Sequence, residues 1–410
     1  MDLKYLCTVK IQNVMNTYFQ KLVSDNFDYV VSCYRHLHAH PELSFHEFET
    51  AGFVQEELTK MGISFRSGIG GTGILGKIEG QNPGKMVIAL RADMDALPVN
   101  EEVDIPWKST VENTMHACGH DAHTACLLGA AKVLQQIRND FEGTVLLIFQ
   151  PGEEKAPGGA SLMLEDGLFR DIEPEIILAQ HVSVDFPTGT LGFLPGMIMA
   201  SADEIHVTIH GKSGHGALPH LINDTVLCAA QTVVSLQQVR SRLCHPLTPM
   251  VLTFGKLIAN GATNIIPGTV KLSGTFRTVD EEWRALAKIH IRRIIHETCA
   301  AYGCTAEIDI PGGYPCVVNN DAITARARDY ATQWLGIENI RNLEMRMTSE
   351  DFGFFTQQYP CTFYRFGVKG EINNHTGGLH SSTFQIDEKA LETGMGGLIW
   401  ITWKFLTDKK

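Results

Sequence analysis

No apolar run in this chain approaches the roughly 18 residues that a membrane-spanning helix needs, so no membrane partner is expected. A long block of Lys and Arg is also missing. Lys+Arg total 34 against 46 Asp+Glu, a net charge of −12. A nucleic-acid surface normally needs a basic block, so a polyanionic partner is not expected either. The ten cysteines include no C-x-x-C pair. The amino terminus, MDLKYLCTVK, has no cationic start followed by an uninterrupted apolar stretch, and does not read as a signal peptide. Scattered cysteines without such a signal predict reduced thiols and a cytoplasmic location. Repeats and low-complexity segments are absent as well. What remains is 410 residues, 44% apolar and 20% charged, enough for a substantial core in two or three domains.

Helix and strand alternate through the first part. Helical spacing covers residues 27–39 and ends near Pro41. Ser44 and Glu47 form an S-x-x-E pattern, which predicts a capping box opening a second helix. After a Gly-rich turn, 74–78 and 86–90 read as short strands, 121–137 as a helix, and 144–149 and 176–179 as apolar strands. This alternation predicts an α/β fold with a mostly parallel sheet and helices on both faces. The pattern changes near Pro195. A strand at 204–210, a helix at 224–240, strands at 251–257 and 270–276, a helix at 281–302 and a strand at 305–310 follow. That β-α-β-β-α-β order is the ferredoxin-like arrangement. The expectation is therefore a domain at 196–309 inserted into one made of 1–195 and 310–410, with a final helix at 388–405.

Gly68, Gly70 and Gly73 satisfy G-x-G-x-x-G. A dinucleotide site needs that turn to open a helix, whose N-terminus holds the pyrophosphate. Ile74 to Ile78 read as a strand instead, so a nucleotide site is not expected.

Four clusters carry chemistry: RADMDALP at 91–98, HACGHDAH at 116–123, PGEE at 151–154, and His181 after ILAQ. The first, third and fourth lie at or just after expected strands. Carboxyl ends of parallel strands face one crevice, where open α/β sheets bind ligands. HACGHDAH offers three imidazoles, a thiol and a carboxylate, the groups that bind zinc, manganese, cobalt or nickel. Cys118 and His120 are two apart, so in an extended segment they share one face. Asp121 is placed either to cap the following helix or to orient a ligand. A polar loop whose histidines bond to backbone is the competing reading of any single His. Glu153 and Glu154 read alone as an exposed acidic turn. Beside a metal cluster, one can bind metal while the other takes a proton from the attacking water.

Together these motifs resemble the metal-dependent aminoacylase and carboxypeptidase family. The nearest branch is that of N-acyl-amino-acid amidohydrolases, hippurate hydrolases and auxin-conjugate hydrolases. The resemblance runs from HPELSFHE at 40–47 to LHSSTF at 379–384. It implies a dinuclear-metal domain carrying an inserted lid or dimerisation domain, and a homodimer. It implies that Cys118, His120, Glu154, His181 and His380 are metal ligands, with the Cys118 thiolate able to bridge two ions. His375 is a second candidate near His380, which is favoured by its L-H-S segment. Glu153 would be the general base, and Asp93 a residue that orients a ligand. The commonest members of the wider family have a metal-binding His where Arg91 stands and a bridging Asp where Cys118 stands; both changes characterise the amidohydrolase branch. In the inserted segment, His215 of GKSGHGALPH would reach the substrate or the developing oxyanion, often from a partner subunit. Asn264 and Arg277 would hold the substrate carboxylate. Two divalent ions are implied, manganese or zinc, with cobalt or nickel as further candidates.

The expected activity is hydrolysis of the amide bond in a small-molecule N-acyl amino acid, releasing a carboxylate and the free amino acid. The alternatives are a carboxypeptidase or dipeptidase, an N-acetyldiaminopimelate deacetylase, and a catalytically silent metal-binding protein.

Overall fold

The runs VIALRAD and TVLLIFQ form strands Val87–Asp93 and Thr144–Gln150, with every residue buried. Such unbroken apolar runs suit the middle of a sheet covered on both faces. A computed structural model describes the backbone of residues 3–370 and 377–408, and the side chains among these from residue 14 onward. His375 therefore lies outside the described residues. The chain divides into two units. One comprises Met1–Gly196, Val318–Glu344 and Phe354–Lys410, the other Met197–Val317 and Met345–Gly353.

The first unit is α/β. Its eight-stranded sheet runs Ser64–Ile69, Gly73–Glu79, Thr144–Gln150, Val87–Asp93, Ile176–Pro187, Cys361–Lys369, Leu191–Phe193 and Ile340–Asn342. The four strands from Thr144–Gln150 to Cys361–Lys369 are mutually parallel, and the first two pair antiparallel. Ser64–Ile69 and Gly73–Glu79 form a hairpin, so the G-x-G-x-x-G segment opens a strand and no helix. The helix His120–Gln136 has 14 buried residues of its 17. It packs between the helices Phe27–Ala39 and Ala390–Thr407.

The expected capping box is not formed. The helix Phe48–Lys60 begins after Glu47, whose side chain makes no cap. Glu42 reaches in from the preceding loop, and its carboxylate accepts the backbone N–H groups of Glu49 and Thr50. Ser44 and Glu47 turn to buried partners described below, because a tertiary acceptor or donor competes directly with a local cap.

The second unit holds a four-stranded antiparallel sheet in the order Met250–Ile258, Thr269–Thr278, Asp203–His210, Thr305–Asp309. Asp203–His210 alternates between buried and more exposed residues, as a sheet with one covered face requires. The helices Thr225–Gln238 and Glu281–Ala301 are N-capped by Asp224 and Asp280, which accept the N–H of Leu227 and Trp283. The unit also takes in residues 310–317 and Met345–Gly353, beyond the 196–309 segment marked out by the sequence pattern. Among the described residues no helix is long and apolar enough to cross a membrane.

Candidate metal centre

Strand pairing brings the motifs of the first unit together. Asp93 ends its strand opposite Gln150, and PGEE follows at once. His181 lies two residues past Ala179, the last residue of its strand paired with Val87–Asp93. It stands in the middle of the long strand Ile176–Pro187 but at the carboxyl edge of the neighbouring one.

Cys118 and His120 converge by a different route from the one expected. The segment between them is not extended. Gly119 sits in the left-handed region at φ 84°, and His120 opens the helix. A Cβ at Gly119 would lie 2.8 Å from the Val182 side chain, so only glycine fits both the turn and the space. Asp121 does not cap that helix. One of its oxygens accepts the N–H of Ala122 and the other bonds to His38 Nδ1 at 2.7 Å.

Four residues on four segments face Cys118. Ligand atoms of Cys118, His120 and His181 lie within 4.8 Å of one another, and so do those of Cys118, Glu154 and His380. Cys118 Sγ is 3.5 Å from His181 Nε2, and His380 Nε2 is 3.2 Å from Glu154 Oε1. His120, Glu153 and Glu154 form a third such group. His380 has a left-handed backbone, φ 65°, pinned by its N–H donating to the Ala117 carbonyl. A non-glycine residue in that region is worth reading as a functional constraint.

Hydrogen bonds decide which ring nitrogens are available. His120 Nδ1 donates to the Asp95 carbonyl at 2.8 Å, and His181 Nδ1 to the Val182 carbonyl at 2.8 Å. Each leaves Nε2 facing the cluster, and His120 Nε2 is buried with no hydrogen-bond partner. His123 differs. Its Nε2 accepts the N–H of Val182 and its Nδ1 donates to Asp93 Oδ1 at 2.6 Å. Both nitrogens are used, so His123 is a brace and not a ligand, although it lies near Asp93 and His120. His116 is buried with neither nitrogen bonded and falls in none of the ligand groups among the described residues. Burial pushes it down to about 4.

The electrostatics suit a bound cation. Burial and Glu154 push the Cys118 thiol up. Cys118 and Glu154 push His380 up to about 10. Burial disfavours a charged His120, but Asp93 and Cys118 outweigh it and hold its ring well above the ordinary histidine value. Burial and Arg365 keep His181 well below that value, hence neutral with a lone pair to give. Excess negative charge drawing protons, together with an unbonded imidazole nitrogen, is the environment a divalent cation would satisfy. The donor set fits two such ions, with Cys118 common to two of the three groups.

Asp93 lies beside His120 and His123. Its carboxylate is bound by Arg91 Nη1 at 2.6 Å and by His123, while His120 Nε2 is 3.7 Å away. The carboxylate at the other ring nitrogen of His120 is that of Asp95, with Oδ1 3.3 Å from Nδ1. Sequence reasoning passed over Asp95. The available signal was its spacing of two from Asp93 in RADMDALP, which puts both on one side of an extended segment.

In the second unit, the short strands Gly214–His215 and Ile265–Ile266 pair, and Gly216 N–H donates to the Asn264 carbonyl. His215 and Asn264 are thus close and exposed. His215 Nδ1 accepts the N–H of Ala217. Arg277 lies on the separate strand Thr269–Thr278, with Nη1 3.1 Å from Ser349 Oγ and 3.3 Å from the Met347 carbonyl.

The family model for peptidase family M20/M25/M40 matches residues 89–398. The chain belongs to this family. It is 37% identical to thermostable carboxypeptidase 1 of Saccharolobus solfataricus, over 90% of this chain and 93% of that one. It is 40% identical to an N-acyl-L-amino acid amidohydrolase of Geobacillus stearothermophilus, over 74% of this chain and 81% of that one. Among solved structures, the Bacillus subtilis YXEP protein, described as a dinuclear metal binding peptidase of the M20 family, superposes with a TM-score of 0.80. It is 33% identical and covers 93% of this chain and 99% of its own. The M20 chain described here is accordingly a hydrolase of amide bonds.

Proposed function

We propose that this M20 hydrolase is an amidohydrolase that cleaves N-acyl amino acids into a carboxylate and a free amino acid. The observation that carries this reading is Cys118 shared between two ligand groups, with Glu153 and Glu154 side by side at their edge. Cys118, His120, Glu154, His181 and His380 would hold two divalent ions. When bound, these would polarise the amide carbonyl and the attacking water. A thiolate favours zinc as a soft partner, and the carboxylate and imidazole donors also suit manganese, cobalt or nickel.

Glu153 would take a proton from the attacking water and pass it to the amide nitrogen as the C–N bond breaks. Such a base needs a fixed position next to the water more than an extreme basicity. Asp93 acts through Arg91 and His123, which keeps the strand bearing His181 in place. Arg277 supplies a planar fork for a substrate carboxylate, with Asn264 as a further donor and His215 as a donor to the oxyanion. The 197–317 unit would serve as lid and dimerisation surface of a homodimer. A cytoplasmic setting agrees with the nine free, buried cysteines among the described residues.

The test is hydrolysis of N-benzoylglycine and N-acetylmethionine after chelation, then after adding back manganese, zinc, cobalt or nickel. Activity that disappears and returns is expected. A panel with dipeptides and N-acetyldiaminopimelate accompanies it. Preference for dipeptides would replace this reading by a carboxypeptidase, preference for the diaminopimelate by its deacetylase. No turnover with any ion would leave a metal-binding protein. Light scattering is expected to show a dimer; a monomer at assay concentration would remove any role for His215 in a partner's site.

A further inference from the structure

The HPELSFHE segment and Asp95 carry no ligand and no base, yet they meet the PGEE loop at its backbone. Asp95 is fully buried. Its Oδ1 accepts the N–H of Glu153 at 3.0 Å, and its Oδ2 accepts the N–H of Glu154 at 3.0 Å. Ser44 Oγ donates to Oδ2 at 2.6 Å. The preceding amide is held the same way. Gly152 N–H donates to Glu47 Oε1 at 2.8 Å, and Thr72 Oγ1 donates to Glu47 Oε2. Gly152 is left-handed, φ 56°. Three successive amides of a loop without regular structure are therefore fixed by two buried carboxylates. The same Asp95 also touches His120 on both its carbonyl and its carboxylate.

We propose that Asp95 is the positioning residue of this centre: its carboxylate sets Glu153 and Glu154 at the backbone, and its own carbonyl, with Oδ1 beside it, aims His120 Nε2 at the same point. This rests on the metal-centre reading given above. Arg91 stands two residues before Asp93, and the imidazole here comes from His120 at the start of a helix. The Nδ1 hydrogen of that imidazole goes to the Asp95 carbonyl at 2.8 Å, with Asp95 Oδ1 beside it at 3.3 Å. A carboxylate suits the task and an amide does not. Each Asp95 oxygen already faces a backbone N–H, and backbone donors cannot reverse. An Asn would turn its own NH2 towards one of them in either orientation. Glu47 has both its backbone donors on one oxygen and a hydroxyl on the other, so Gln can satisfy them all.

The first experiment compares Asp95→Asn and Glu47→Gln with the wild type. Zinc and manganese affinities are measured by competition with a chromophoric chelator, and kcat and KM on N-benzoylglycine or whichever substrate the panel selects. Asp95→Asn is expected to weaken metal binding and lower kcat by about 10–100-fold each. KM should stay within about threefold, because Asp95 touches no substrate. Glu47→Gln should lose less on both counts. Wild-type metal affinity and kcat in a folded Asp95→Asn would overturn the proposal, and so would an equal loss in both variants.

A second measurement needs no variant. Hydrogen exchange in wild-type protein is expected to be slow at the amides of Gly152, Glu153 and Glu154, and exchange there as fast as in an unstructured peptide would overturn the proposal. The chelator titration separates the two hypotheses. If the wild type hydrolyses nothing, the proposed activity fails while the affinity difference between wild type and Asp95→Asn still decides the role of Asp95.

Discussion

Arg91 is a residue whose charge makes sense only with its neighbours. It is 1% exposed and meets Asp93 Oδ2 at 2.6 Å and Gln150 Oε1 at 2.8 Å. Removing one member of a buried pair leaves the other charge uncompensated, at a cost of about 3–5 kcal/mol. Arg91→Met is therefore expected to lower the urea unfolding free energy by that order, with a smaller loss in the double variant Arg91→Met, Asp93→Leu. Glu153→Gln tests a different kind of residue. A general base contributes about 10²–10⁴-fold, so kcat should fall by that factor. Metal affinity, read by calorimetry, should stay close to wild type because Glu154 remains. Full activity in Glu153→Gln would dismiss its role as the base.

At the scale of elements, turns do the placing. Gly119 lets a thiol and the first residue of a helix meet at one point. Alanine there must adopt φ near 84° and displace Val182. Backbone strain of this kind costs about 1–3 kcal/mol, so Gly119→Ala should lower the unfolding midpoint and weaken zinc binding together. A variant that binds zinc as tightly as wild type would show that the turn is not what sets the site. Asp280 caps the helix Glu281–Ala301 by a conventional N-cap. Asp280→Ala should cost about 1 kcal/mol of stability, with no change in metal affinity. The contrast with Ser44 and Glu47 is instructive. Their S-x-x-E pattern is equally clear in the sequence, but Asp95 and Gly152 claim the side chains, and Glu42 caps the helix in their place.

At the scale of the whole molecule, pH and metal act through linkage. His38 bonds to the residue after His120, with Nδ1 on Asp121 at 2.7 Å, and its Nε2 meets Glu101 at 3.1 Å. Burial opposes its charge, but the two carboxylates win and raise it to about 9. A histidine raised on folding stabilises the native state fully below its unfolded value of about 6.5 and loses that contribution as pH climbs through the folded value. The gap in melting temperature between wild type and His38→Gln should thus be widest near pH 6 and narrow towards pH 9.5. A gap that does not change over that range would mean that His38 is neutral. Metal binding stabilises the native state by mass action, about 2.7 kcal/mol at a hundred times the Kd. Chelation should lower the melting temperature and zinc or manganese should restore it, independently of any substrate.

How much of this was legible in advance follows from range. The α/β alternation, the buried strands and the antiparallel inserted pattern were written in hydrophobic period and turn residues, which are local quantities. The clusters HACGHDAH and PGEE announced metal chemistry because their side chains have few other uses at that density. The residues alone did not say which of the three imidazoles is available, since that depends on what the other ring nitrogen bonds to; only the family resemblance singled out His120. His120 finds a carbonyl, His123 finds Asp93 and a backbone N–H, and His116 finds nothing. The place of Asp95 was hidden for the same reason. Its donors come from residues 44, 120, 153 and 154, and no spacing rule spans such distances. The chain's sequence by itself determined which groups could bind metal and which elements would form. Only the tertiary structure decided which lone pairs point at the site, because a hydrogen bond between distant segments exists only once the sheet has brought them to one edge.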